Sequence, residues 1–339
     1  MHARDSWNFL RKLNGRKIRN GLRVLASYYT GRLSGKVVHP AWPLSISIEP
    51  TTACNLGCPE CPSGLKQFTR QTGNARPDEV KRWLDQLADT VTWVNFYFQG
   101  EPYIHPNFLD LVQHAHGLGM YTSTSTNAHF LSASNARKTV ESGLDRLIIS
   151  VDGTTQETYA QYRVHGSLEK VLEGTRNVVA ARRELRSRTP HLIFQFLVVR
   201  PNEHQVQEVR RLAREMGVDE VKLKTAQVYD YRNGNPLIPE QEKYARYARQ
   251  ADGTYRIKNE LANHCWRMWS SCVITWDGKV VPCCFDKDAT HQMGDLRQAD
   301  FASVWNNVHY RNFRAALFRS RQEIDICANC SEGTRVWAG

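Results

Sequence analysis

The sequence predicts an α/β protein: a partial, open (β/α)6 TIM-like barrel followed by a small C-terminal Cys-rich α+β domain. Three observations carry this. Six short apolar runs alternate with stretches of helical periodicity between residues 44 and 226. Such alternation implies right-handed βαβ crossovers and a parallel sheet with covered faces. Beyond it, Asp277-Gly278 sits between two β-branched runs, a hairpin signal with a two-residue turn. Nine cysteines gather at two places far apart in the chain. Six βα units fall short of the eight that close a barrel, so the sheet should stay open, with its site at the C-terminal strand ends.

The strand runs are residues 44–49, 94–98, 120–126, 146–151, 192–199 and 220–225. Helical spacing fills 78–88, 106–116, 133–142, 167–186 and 203–216. In the first of these, Val80, Leu84 and Leu87 share a face behind Pro77. Residues 227–262 are polar and Tyr-rich, with Pro236 and Pro239, and read as a connector. The organisation is therefore a basic N-terminal extension (1–43), the barrel (44–226), the connector (227–262) and the Cys-rich region (263–339). A helix is expected over 301–318, before Cys327-Ala-Asn-Cys330.

With 41% hydrophobic and 23% charged residues, the composition is that of a globular protein and excludes a disordered chain. The apolar run at 192–199 is interrupted by Gln195 and is far shorter than the ~20 residues a bilayer requires. No secretory apolar core follows the N-terminus, so a cytoplasmic protein is expected. The net charge of +11 is unevenly placed. Residues 1–36 hold nine Lys/Arg and one acid, Asp5, whereas the remainder is close to balanced. A nucleic-acid role for the whole chain therefore gains little from the charge, and no firm nucleic-acid partner is expected. In that basic segment Trp7, Leu10 and Leu13, then Ile18, Leu22, Leu25 and Tyr29, recur at helical spacing, with Gly15 and Gly21 expected to break or loosen the helix. Such a helix either makes a peripheral contact with an anionic membrane, at the inner membrane surface, or packs on the protein's own body.

Cys54-Asn-Leu-Gly-Cys58-Pro-Glu-Cys61 places three thiols in one loop, because Gly57 and Pro59 oppose a continuous helix. The loop follows the first strand, at the end where chemistry belongs. Three thiolates can hold three irons of a 4Fe–4S cluster and leave the fourth open to a small molecule. Zinc, with Glu60 or a distant His as fourth ligand, is the alternative.

With this loop the sequence resembles the radical SAM superfamily, over residues 44–226. Several further positions match in order. Phe98-Gln-Gly100-Glu101-Pro102 resembles the family's Gly-Gly-Glu motif, with Gln99 in place of the first Gly. The resemblance implies that Gly100 and Glu101 receive the methionine ammonium of S-adenosylmethionine (SAM), a pairing of carboxylate with cation. Ser123-Thr-Ser-Thr-Asn127 suits ribose hydroxyls, through Asn127. Ser150-Val-Asp152-Gly153 resembles a SAM-contacting strand end, through Ser150 and Asp152. Arg163 resembles an arginine that meets the SAM carboxylate, and Gln195 is a further ribose candidate. Glu60 departs from the family, which usually has an aromatic residue there. The implied chemistry is reductive cleavage of SAM to a 5′-deoxyadenosyl radical, which abstracts hydrogen from an unactivated substrate carbon. A small electron-donor protein of the flavodoxin or ferredoxin type is the implied partner.

Cys265, Cys283, Cys327 and Cys330 resemble the ligands of a twitch or SPASM-type auxiliary domain, which implies a second 4Fe–4S cluster. Cys284 competes with its neighbour Cys283, Cys272 is left over, and a structural zinc ribbon is the alternative. Six cysteines outside the first loop are too few for two fully Cys-ligated clusters.

A fully ligated second cluster would take an electron from a substrate radical, which favours net oxidation. The function expected is therefore a radical SAM oxidoreductase acting on a small molecule (a sugar, cyclitol or lipid-linked intermediate). A maturase modifying a peptide or protein side chain is the alternative, set back by the short stretch before the first strand, too small for a typical leader-binding domain. A non-enzymatic metal or electron-carrier protein is the alternative of another class. Neither the substrate nor a catalytic base is identified. Glu49, His129, Lys224 and Asp230 lie at or just beyond strand ends.

Overall fold

The computed structural model describes residues 3–258 and 261–330. Met1, His2 and residues 331–339, which belong to the N-terminal extension and the Cys-rich region, lie outside them. The chain opens with α1 (Ala3–Leu10) and α2 (Gly15–Ser34). Asn14 starts α2, its side chain accepting from the Lys17 amide, and Gly35 ends it in the left-handed region. Gly15 is thus the first helical residue rather than a break, and Gly21 continues the helix.

Six parallel strands follow: β1 (Ser45–Ile48), β2 (Trp93–Asn95), β3 (Tyr121–Thr126), β4 (Arg146–Ser150), β5 (His191–Val198) and β6 (Glu220–Thr225). The helices α3 (Pro62–Leu65), α4 (Pro77–Leu87), α5 (Phe108–Gly117), α6 (Ala133–Glu141), α7 (Gln156–Tyr162), α8 (Leu168–Glu184) and α9 (Val206–Met216) form the crossovers. The connector carries a small hairpin of β7 (Tyr247–Arg249) and β8 (Tyr255–Ile257), with Tyr231 stacked on Tyr247 at 4.3 Å. The Cys-rich region holds α10 (Arg267–Ser270), β9 (Ser271–Ile274), β10 (Lys279–Val281), β11 (Gly294–Asp295), α11 (Phe301–Trp305), α12 (Val308–Ser320) and α13 (Asp325–Ala328).

One sheet runs through barrel and Cys-rich region alike, in the order β11-β10-β9-β1-β2-β3-β4-β5-β6. β9 pairs in parallel with β1, Ser47 opposite Val273. The Cys-rich hairpin therefore extends the barrel wall, while β6 and β11 remain unjoined edges. Three local expectations change. The hairpin loop has three residues, Trp276-Asp277-Gly278, because Thr275 already pairs with Lys279; Gly278 takes the positive φ that such a loop requires. The 301–318 helix is split, since Asn307 caps α12 through its side chain. The second strand stops at Asn95, short of the expected 98.

Alternation divides the sheet's two faces. Ile46, Ile48, Val94, Leu147, Ile149, Leu192 and Phe194 join the helices in one apolar core, with Trp83 and Leu84 of α4. The opposite face mixes polar side chains with Trp93, Tyr121, Ile148, Ile193 and Val273. Ser47, Asn95, Ser123 and Arg146 stand in one row across four strands, and Ser150, Gln195 and Lys222 in another. The barrel lumen is thus lined by hydroxyls, amides and cations interleaved with aromatic and aliphatic side chains.

α1 plugs the floor of this lumen. Buried Asp5 accepts from Tyr121 Oη and pairs with Arg146, whose guanidinium lies over the Trp93 ring at 4.5 Å. Asn8 donates to Asp145 at 2.8 Å, and Phe9 packs on Trp93 and Tyr121.

Candidate functional site

The first cysteine loop leaves β1 at the C-terminal end of the sheet. Burial pushes Cys54 up to about 11 and Cys58 upward as well, and the neighbouring thiols, Cys61 among them, add to both shifts. Each of the three thiols has a polar neighbour from a different βα unit. Arg163 Nη1 is 3.7 Å from Cys58 Sγ, Asn127 Nδ2 is 4.0 Å from Cys54 Sγ, and Gln99 Oε1 is 4.0 Å from Cys61 Sγ. The structure thus gathers the three cysteines with Gln99, Asn127 and Arg163 around one spot. A cavity of about 840 Å3 opens beside it, bordered by Thr52, Cys54, Ser63 and Phe68.

The turn after β2 is bolted to the cysteine loop. The Gly100 amide donates to Ser63 Oγ at 2.8 Å and the Glu101 amide to the Ala53 carbonyl at 2.8 Å. Gly100 has φ +74°, and a Cβ there would lie 2.3 Å from the Thr51 carbonyl oxygen, so only glycine fits. This turn fixes Glu101 in full burial. Its carboxylate accepts from Thr126 Oγ1 at 2.7 Å, the Asn127 amide at 2.7 Å and the Tyr103 amide at 3.3 Å. All three donors are neutral, and burial holds Glu101 up at about 7. A buried carboxylate ringed by neutral donors fits a cationic ligand such as an ammonium.

Asp152 Oδ2 accepts from Arg163 Nε at 2.5 Å and its Oδ1 from the Leu197 amide at 2.7 Å. Asp152 thus positions Arg163 at the thiols. Ser150 stands opposite Gln195 on the lumen face. Two of the strand-end ionisable groups are engaged elsewhere. Glu49 is fully buried and chelated by Arg70 at 2.5 and 2.8 Å, and it also accepts from the Trp276 amide. His129 bonds the Asn127 carbonyl and the Ser167 amide. Lys224, on edge strand β6, and Asp230 are exposed.

The second group also assembles. Cys283 is raised by burial, then by Cys284, Cys330 and Cys265, and Cys327 by burial, Cys330 and Cys265. Cys265, Cys283, Cys327 and Cys330 are therefore neighbours, and Arg321 Nη2 stands 3.3 Å from Cys330 Sγ. Four thiols with an adjoining cation match the donor set of an anionic metal cluster. Cys272 is elsewhere, buried in the apolar core beside Tyr310 and Arg314. Cys284 is exposed and near enough to Tyr97 of the barrel to add to the upward shift that burial gives that phenol. Two contacts tie the two cysteine regions together: the Tyr229 amide donates to Glu60 at 2.9 Å and Lys287 Nζ to Tyr229 Oη at 2.6 Å.

Asp5, Arg70, Tyr97 and Arg321 were not legible as site-supporting residues. Only Asp5 carried a signal, as the lone acid among nine bases.

Residues 48–213 match the radical SAM superfamily, and residues 265–331 match SPASM, an iron–sulfur cluster-binding domain. The chain thus carries a radical SAM domain followed by a SPASM domain. Its cofactors are accordingly a 4Fe–4S cluster and SAM, and the SPASM domain implies additional iron–sulfur clusters. As a radical SAM protein it is 25% identical over 319 residues to the tungsten-containing aldehyde ferredoxin oxidoreductase cofactor-modifying protein of Pyrococcus furiosus, covering 84% of this chain and 86% of that one. It is 24% identical over 324 residues to the PqqA peptide cyclase of Gluconobacter oxydans, covering 88% and 86%. Among solved structures it shares its fold with Streptococcus suis SuiB bound to precursor peptide SuiA (TM-score 0.64, 14% identity, 92% of this chain and 73% of that one). It shares it also with BtrN in complex with AdoMet and 2-DOIA (TM-score 0.52, 17% identity, 86% and 94%). No helix of the described residues is long and apolar enough to cross a membrane.

Proposed function

We propose that this radical SAM enzyme modifies a side chain of a peptide or protein. The observation that carries this reading is the similarity to a peptide cyclase along 88% of the chain, through barrel and SPASM region alike. The small-molecule oxidation expected from the sequence gives way to this reading. The short stretch before β1 weighs less than that similarity.

When bound, the first cluster and SAM supply reductive carbon–sulfur cleavage and hydrogen-atom abstraction. The chain's own residues bind, orient and exclude. Cys54, Cys58 and Cys61 hold the cluster. Glu101 pairs with the SAM ammonium, and Arg163, braced by Asp152, with its carboxylate. Gly100 lets the Glu101 turn approach the loop, and Asn127 and Ser150 face the ribose. Asp5, Arg146 and Trp93 close the lumen floor against water. Cys265, Cys283, Cys327 and Cys330 would hold a second cluster, which would supply a site for electron uptake, with Arg321 offsetting thiolate charge.

The test is anaerobic incubation of the reduced holoenzyme with SAM and a library of synthetic peptides. Peptide-stimulated 5′-deoxyadenosine and a mass change on the peptide are expected. Stimulation by sugars or cyclitols with none by any peptide would reject the reading. Cys54→Ala, Cys58→Ala or Cys61→Ala should each abolish SAM cleavage.

A further inference from the structure

α2 is amphipathic in an inverted sense. Its buried residues are Lys17, Asn20, Val24, Ser27, Tyr28 and Gly31, a largely polar set. Lys17 Nζ donates to the Gly119 carbonyl at 2.7 Å, Asn20 to the Trp42 carbonyl at 3.0 Å, and Ser27 to the Val38 carbonyl at 2.6 Å. The helix is thus attached to the body by hydrogen bonds. At about 100° per residue, Ile18, Leu22, Leu25, Tyr29 and Leu33 fall within roughly 80° of one another on the opposite face. All five are exposed, Leu22 at 63% and Leu33 at 88%. Ile18, Leu22 and Leu25 also rim an open groove of about 450 Å3, whose floor is Phe9, Leu44 and Trp93.

Cations border this stripe. Arg19 and Arg23 lie along one side of it and Arg32 along the other, all exposed, and none makes an ion pair among the described residues. The single acid of the segment, Asp5, is buried against Arg146 and adds nothing at the surface.

We propose that the exposed face of α2 docks on the surface of an anionic lipid bilayer. Only such a partner offers an apolar layer for the five side chains beside phosphates for the arginines. A second copy of this chain would bring the arginine borders face to face, and like charges would oppose it. A nucleic acid would leave the apolar stripe uncovered. The helix attaches at the N-terminal ends of β1 to β3, whereas the first cysteine loop lies at the C-terminal end of β1; on the side of the second site, Tyr28 of α2 bonds His264 beside Cys265. Docking by α2 therefore leaves the first cysteine loop facing away from the lipid, open to an aqueous substrate.

Sedimentation of the full-length holoenzyme with phosphatidylglycerol-containing vesicles tests this, with pure phosphatidylcholine vesicles as the control. Binding to the anionic vesicles, weakened by salt, is expected. Leu22→Asp, and Arg19→Glu with Arg23→Glu, alter exposed residues and should each lower the partition coefficient by roughly tenfold or more while the melting temperature stays unchanged. No binding of the folded protein to anionic vesicles would overturn the proposal, as would binding that Leu22→Asp leaves intact. Self-association that Leu22→Asp abolishes, without vesicle binding, would assign the face to a second copy instead.

Discussion

The guanidinium of Arg163 bridges Asp152 and Cys58: its Nε donates to Asp152 at 2.5 Å while Nη1 lies 3.7 Å from the Cys58 sulfur. Burial works against the arginine's charge, and Asp152 followed by Cys58 restores it. One side chain thereby links the fourth strand end to the cysteine loop. Asp152→Asn removes the charge partner of this buried cation and should cost about 3 kcal/mol in chemical denaturation. Arg163→Lys keeps the charge but loses the fork, so SAM cleavage should fall while iron content stays near that of the parent. A proportional loss of iron would show that Arg163 supports the cluster alone.

Glu101 makes SAM binding dependent on pH. Its folded value is about 7 against an ordinary 4.5, with burial as the main cause. Between these values the native state keeps a proton that the unfolded state has lost, so stability without SAM falls as pH rises through the interval. Pairing with an ammonium needs the carboxylate. Below pH 7 SAM binding should therefore release one proton, and affinity should drop by about tenfold per pH unit. Calorimetry in buffers of different ionisation enthalpy measures this. Glu101→Gln should bind weakly and flatten the pH profile; an unchanged slope would remove Glu101 from the ammonium site.

Two glycines should answer in opposite directions. Gly100→Ala forces a Cβ against the Thr51 carbonyl at positive φ and should destabilise by about 3–5 kcal/mol. Gly117, at the end of α5, has no neighbouring atom within 4 Å of the place a methyl would take, so Gly117→Ala should stabilise by about 0.5 kcal/mol. Thermal melts compare the pair directly.

The cysteines outside the first loop should separate by iron content. Cys272→Ala should leave iron per chain unchanged and cost roughly 1–2 kcal/mol of core packing, because its thiol lies beside Tyr310 in the core. Cys327→Ala or Cys330→Ala should lower iron and damage substrate turnover more than SAM cleavage. An equal effect on both activities would argue against electron uptake at that site.

The legible parts of this protein were local. Cys54, Cys58 and Cys61 share one loop, the six apolar runs carry their own periodicity, and each helix between them has its own apolar stripe, so none needs a distant partner to be recognised. Glu101 and Asp152 stood out because each sits beside a glycine at a strand end.

Residue order by itself determined the alternating barrel, the thiol loop and the two cysteine groups, because periodicity and spacing are properties of adjacent residues. Tertiary structure alone decided which side chains share a charge or a wall. It joined the hairpin to β1, placed Asp5 of the first helix beneath Arg146, locked Glu49 to Arg70, and turned the apolar stripe of α2 outward. Those outcomes depend on strand register and on which polar group finds a partner when buried, and burial is a property of the packed chain rather than of any segment.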